Sequence, residues 1–189
     1  YDATCLRKAM YRPFQMQWLY FGGYLTHRVS LIPQILPNDD SKNLIITLTL
    51  SGTKGFSTLI TNVTPDLHLI GDSQSFPLYL YEESIKEKSV GAGDLFDNSL
   101  DLTISETKYQ RKDGISDVGL AHFQTAYPKE SISKEDIFYY VYGLLHSEDY
   151  RERYADNLTK ELPRISCVKK AQDFWAFSKA GRDLANWHL

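Results

Sequence analysis

Two hydrophobic periods divide this chain, and each admits one kind of element. In "NLIITLTL", Ile46, Leu48 and Leu50 alternate with Thr47 and Thr49, the period-two signature of a half-buried strand. Beyond Ser133, apolar residues return every three or four positions instead. Tyr150, Tyr154, Leu158 and Leu162 form one stripe, with Arg151, Glu152, Arg153 and Asp156 off it. Before that, Ile137, Val141, Leu144 and Leu145 form a wide apolar face, and Phe138 and Tyr142 pair at i, i+4. Strands first and helices afterwards predict an α+β fold. The expected division is a mostly antiparallel β-sheet region over 1–115, followed by a helical region over 116–189.

Turn and cap chemistry refines this reading. "FSTLIT", "LHLIG" and "FPLYLYE" are further short strand-like runs, separated by the turn-prone "SGTKG", "NVTPD" and "GDSQS". Short connections favour antiparallel pairing, and Pro77 assigns the start of its run to a strand edge or entry. Residues 82–115 form a polar, charged and glycine-containing excursion with room for one strand near 100–104. Long excursions of this kind often carry function. Ser116 is placed to cap "DVGLAHFQTA" ahead of Pro128. Ser133 with Asp136 resembles a capping box. Ser147 is placed to cap "EDYRERYADNLTKEL", which Pro163 closes, and Asp173 to cap the last helix. Tyr139 and Tyr140 stay open at this point, as core or as a surface on which bases could stack.

Several functions are disfavoured. The 189 residues, 42% of them hydrophobic, supply a core for one domain or two tightly packed subdomains. A net charge of −3 argues against a DNA binder driven by its own electrostatic field, though not against a module that reads DNA inside a larger protein. Cys5 and Cys167 lack metal-ligand spacing and suit a reducing, cytoplasmic setting. No signal peptide or bilayer-length apolar run is present, so no membrane partner is expected. The chain starts at Tyr1, not Met, and reads as a piece of something longer.

The search for catalysis is negative. "SGTKGFS" lacks the spacing of a phosphate-binding loop. Asp66, His68 and Asp72 offer no clear third ligand for a metal, Asp39-Asp40 sits in a polar turn, and no serine or cysteine has a nucleophile's context.

Four unusual strings then occur in one order: "MYRPFQMQWLYF", "KGFSTLITNVTPDLHLIGDSQSFPLYLYE", "ISKEDIFYYVYGLLHSEDYRERYADNLTKELPRI" and "DFWAFSKAGRDLANWHL". The chain resembles the C-terminal specificity region of Type ISP restriction–modification enzymes and of related large proteins labelled predicted helicases. In that family one polypeptide joins a nuclease, a helicase-like ATPase, an adenine-specific DNA methyltransferase and a target recognition domain. The resemblance implies that this chain is the target recognition domain, whose partners are double-stranded DNA and the methyltransferase and helicase-like domains of its parent. It implies no cofactor in the chain itself, and S-adenosylmethionine, ATP and Mg for the parent. Tyr11, Arg12, Pro13, Phe14 and Trp18 match a family string, while Gln15 and Gln17 stand where that string carries Asp and Arg. Glutamine can hydrogen-bond adenine bidentately.

Because specificities differ within such a family, reading residues are expected where the chain is least like the family pattern. That selects "SETKYQRKDG" in the excursion, where Lys108, Tyr109, Gln110, Arg111 and Lys112 offer groups for base edges and phosphates. Arg12 and Lys54 are further phosphate candidates. Two alternatives stand beside this reading: a solvated charged loop at those residues, and a module that docks the methyltransferase and helicase-like domains with little base reading of its own.

Overall fold

A computed structural model of the chain describes residues 2, 5–22, 25–26, 30–50, 55–84 and 108–189. Its N-terminal region holds β1 (Leu6–Arg12), β2 (Gln15–Tyr20), the short α1 (Ile32–Ile35), β3 (Ile45–Thr49), β4 (Thr58–Thr61), β5 (Thr64–Pro65), β6 (Ser73–Pro77), β7 (Tyr79–Ser84) and β8 (Lys108–Asp113). The C-terminal region is α2 (Asp117–Ala126), α3 (Lys134–His146), α4 (Glu148–Arg153), α5 (Ala155–Leu158) and α6 (Ala171–His188). The α+β class is therefore as the two periods predict.

Among the described residues three small sheets form, ordered β2-β1-β5, β4-β3-β6 and β7-β8. All pairings are antiparallel except that of β1 with β5. β3 is central, and all five of its residues are buried. The alternation in "IITLT" is thus real, but neither face meets water. Ile46 and Leu48 enter the main core, while Thr47 bonds across to the Ser75 hydroxyl at 3.2 Å and Thr49 accepts from the Ser57 amide at 3.0 Å. Hydroxyls with partners let threonine line a covered face. The run "FPLYLYE" is two strands, not one: Pro77 ends the edge strand β6, and β7 begins two residues later. "LHLIG" makes a turn with a single bridge, and Ser73–Pro77 takes over the strand from the expected "GDSQS" turn.

One main core draws on both regions of the chain. Ile46, Leu48, Ile60 and Leu78 from the sheets pack with Phe123, Tyr127, Tyr140, Tyr142, Tyr150 and Phe174 from the helices. A second cluster, Met10, Leu59 and Leu69, lies under the β1 sheet, and a third joins Ile35, Leu36 and Ile45.

Tyr127, Tyr140, Tyr142 and Tyr150 of the helical region are core, and their hydroxyls explain why they are not phenylalanines. The chain between α5 and α6 has no strand partner among the described residues, yet its carbonyls lie against the core. Tyr150 donates to the Arg164 carbonyl at 3.0 Å, Tyr140 to Ser166 at 2.6 Å and Tyr127 to Val168 at 2.6 Å. Alternate residues of an extended segment are satisfied this way, one ring at a time. Tyr142 does the same for a sheet edge, accepting from the Ile60 amide of β4 at 3.2 Å. Tyr139 and Tyr140, left open by the sequence, are 7% and 0% exposed. Tyr140 stacks on Phe174, and Tyr139 lies under the Arg182 guanidinium.

Ser116, Ser133 and Ser147 cap α2, α3 and α4 as expected, with a full capping box at Ser133 and Asp136. Two expectations fail. The helix after Ser147 breaks at Tyr154 and ends at Leu158, so Leu162 leaves the stripe and is exposed. The last helix starts before Asp173, whose carboxylate lies in the first turn, favourable to the helix dipole but not the cap.

Candidate nucleic-acid interface

Five of the expected reading residues lie on a strand, not in a loop. β8 pairs with β7 over Tyr79↔Asp113, Leu80↔Lys112, Tyr81↔Arg111, Glu82↔Gln110, Glu83↔Tyr109 and Ser84↔Lys108. The two described ends of the excursion therefore pair as a two-stranded β-ribbon, while residues 85–107, with the strand expected at 100–104, fall outside the described residues. Strand alternation separates the candidates. Gln110 and Lys112 share one face, and Tyr109 and Arg111 the other. For Lys108 only the backbone is described, and Lys54 lies outside the described residues.

The ribbon is anchored firmly at its base. The side-chain amide of Asn43, buried between elements, donates to the carbonyls of Ile35 and Tyr79, both at 2.8 Å, and accepts from the Tyr79 amide at 3.0 Å. Tyr81 donates to the Lys42 carbonyl at 2.7 Å. On the other strand, Lys134 at the start of α3 bridges Asp113 at 3.0 Å and Asp117 at 2.6 Å. Those two carboxylates hold the Lys134 ammonium above its usual range, and Lys134 lowers Asp117 in return. A β-carbon at Gly114 would strike the Pro77 carbonyl, so the strand can leave the ribbon only through a glycine.

The charge on the ribbon is mixed. Lys112 pairs with Glu82 at 2.5 Å, and Arg111 stacks on the Tyr79 ring at 4.1 Å. Glu83 and Asp113 add acid beside them. The described base presents hydrogen-bonding groups and two cations rather than a broad basic field.

Arg12 sits elsewhere, at the turn between β1 and β2. Its guanidinium stacks on Tyr11 at 4.0 Å and lies 3.6 Å from Asp66, partly exposed. The structure thus does not place Arg12 among the β8 candidates. Sequence reasoning missed Arg7, five residues earlier on β1. It donates to the Leu36 and Pro37 carbonyls at 2.6 and 2.8 Å and packs over Phe21, so it fixes β1 to α1 rather than facing a ligand. Burial lowers its pKa. Asn43 was missed too, because a lone asparagine before a strand carries no signal of the distant groups it links. Asp66, His68 and Asp72, disfavoured as a metal site by the sequence, contact one another: His68 Nδ1 lies 2.8 Å from Asp72, and Asp66 accepts from the His68 amide.

Comparison with known families matches the whole chain, residues 1–189, to the Type ISP C-terminal specificity domain. The chain belongs to this family. As a Type ISP specificity domain it is also similar over its full length to three solved structures. The cryo-EM structure of the DrdV–DNA complex shares 32% identity with a TM-score of 0.81. A nuclease-deletion mutant of the Type ISP restriction–modification enzyme LlaGI, in complex with a DNA substrate mimic, shares 32% with a TM-score of 0.72. The ATP-dependent Type ISP enzyme LlaBIII bound to DNA shares 31% with a TM-score of 0.76. The specificity domain covers 16%, 14% and 11% of those chains respectively. Comparison with curated protein sequences returned no match. Among the described residues, no helix of the domain is long and apolar enough to cross a membrane.

Proposed function

We propose that this specificity domain reads a short asymmetric sequence in duplex DNA for a larger cytoplasmic polypeptide. Other domains of that polypeptide then methylate an adenine in the site and carry out restriction, using S-adenosylmethionine, ATP and Mg. The domain itself supplies recognition, not catalysis. The observation that carries this reading is the full-length likeness, at 31–32% identity, to DNA-bound relatives.

In this reading the β7–β8 ribbon is the reading element. A two-stranded ribbon fits the major groove, where base edges are distinguishable. Gln110 and Lys112, sharing a face, are the described pair best arranged to meet base edges, with Lys108 in register on the same strand. Arg111 and Tyr109 on the opposite face, with Arg12 at the distant β1–β2 turn, hold phosphates, and so does Lys54.

Arg111→Ala and Lys112→Ala in the full polypeptide weaken binding to a cognate duplex. Loss of a base contact costs about 1–3 kcal/mol and relaxes discrimination, whereas loss of a phosphate contact lowers the salt slope by about one. Glu82→Gln acts in the opposite sense, because it releases Lys112 for DNA. Binding unchanged by Arg111→Ala and by Lys112→Ala removes the ribbon from the interface.

A further inference from the structure

β2 is an edge strand exposed on both faces, although its partner is not. Ala9 and Met10 of β1 are buried, while Met16 and Trp18 on β2 are 46% and 64% exposed. The strand neighbour of β2 is β1, and along residues 15–19 no second strand pairs with it among the described residues. Natural edges are usually blunted by lysine, proline or a covering element, and residues 15–19 carry none of these. Phe14 at the turn is 63% exposed and holds φ at 62°, a left-handed conformation that phenylalanine adopts at a cost. A turn chosen only for stability would place glycine or asparagine there. Tyr11 on the same hairpin is also exposed, and Lys8 reaches toward the Trp18 ring. Large apolar side chains grouped on one exposed hairpin mark an interaction surface.

The position of the patch says what covers it. Both ends of the described chain meet this hairpin: the Asp2 amide donates to the Tyr20 hydroxyl, and the Phe14 ring lies 5.8 Å from that of His188 near the end of α6. The matched relatives are far longer, the domain being 11–16% of their chains. Polypeptide joined to either end emerges beside an open strand edge. Tethering at that distance makes docking effectively intramolecular.

We infer that the outer edge of β2 is an internal docking surface, covered by an extended apolar segment of the neighbouring region of the same polypeptide. That segment adds a strand along residues 15–19 and buries Met16 and Trp18, with backbone bonds for affinity and alternate side chains for fit. The inference rests on the domain being one portion of a longer chain. It does not depend on which residues read DNA.

Hydroxyl-radical footprinting of the full-length polypeptide without DNA tests it, with each residue's rate normalised to the same residue in the urea-unfolded chain. Met16 and Trp18 are expected to label about tenfold more slowly than exposed Leu67 and Val118, as residues in the dry centre of an interface do. This protection should not change with protein concentration. Labelling of Met16 and Trp18 at the rates of Leu67 and Val118 overturns the inference. Protection that grows with concentration overturns it in favour of a second copy, and protection that appears only with duplex overturns it in favour of DNA. Duplex binding measured on the same sample shows separately whether the recognition reading stands.

Discussion

Tyr140 and Tyr139 are adjacent, both buried, and differ in one atom's environment. The Tyr140 hydroxyl donates to Ser166, and burial pushes its pKa well above 10. The Tyr139 hydroxyl has no hydrogen bond among the described residues, its ring serving instead as the platform for Arg182. Tyr140→Phe therefore leaves a buried carbonyl unpaired and should cost about 1–3 kcal/mol in urea unfolding, while Tyr139→Phe should be near neutral. A second prediction concerns two histidines. His188 Nδ1 shares a hydrogen bond with the Tyr142 hydroxyl at 2.6 Å, and His146 Nδ1 donates to the Tyr142 carbonyl at 2.9 Å. Burial, with Arg151 and His188 also nearby in the case of His146, lowers both pKa values from 6.5. A lowered pKa means that the unfolded chain binds the proton more readily. Stability is thus full above about pH 6.5 and falls as the pH drops below it. Urea midpoints at pH 7.5 and 5 should show this fall, and His146→Asn with His188→Asn should reduce it. Asp117 and Glu161 have lowered pKa values and act at still lower pH. An unchanged slope in the double variant would exclude these residues as the source.

Among the elements, α3 and α6 are held at the closest approach. A β-carbon at Gly181 would meet the Tyr139 carbonyl, and one at Gly143 the Phe177 carbonyl. The Ser178 hydroxyl donates to the Asp136 carbonyl, and Arg182 joins Glu135 and Asp136 across the same crossing. Gly181→Ala must push the two helix backbones apart, so a loss of about 3 kcal/mol or slightly more is expected in urea unfolding. Elements with local chemistry were legible: three serine caps, the α3 face and the core strand β3 all follow from neighbours in sequence. Elements defined by distant partners were not. β8 reads as a polar loop because its charges, Arg111 and Lys112, find Tyr79 and Glu82 some thirty residues away. Leu162 fits the four-residue stripe, yet the helix opens at Tyr154 and no sequence signal marks the break.

For the whole molecule, the two hydrophobic periods revealed the fold class but concealed the common core, since no pattern in "NLIITLTL" says that helices cover it. The family was legible because whole strings carried it. The candidate site was only half legible: the segment bearing it was selected, but its ribbon form, its split faces and its anchors Asn43 and Lys134 depend on contacts far apart in sequence. On the proposed reading, a recognition ribbon fixed on a rigid base would make specificity portable between relatives, provided the edge of β2 still finds its proposed cover. The most direct test replaces residues 1–189 of the parent polypeptide with the corresponding domain of another Type ISP enzyme and maps every methylated adenine by sequencing. Methylation that moves to the donor's target sequence is the predicted result. Methylation that stays at the original sequence, by an active and folded chimera, would contradict the claim that this domain chooses the site.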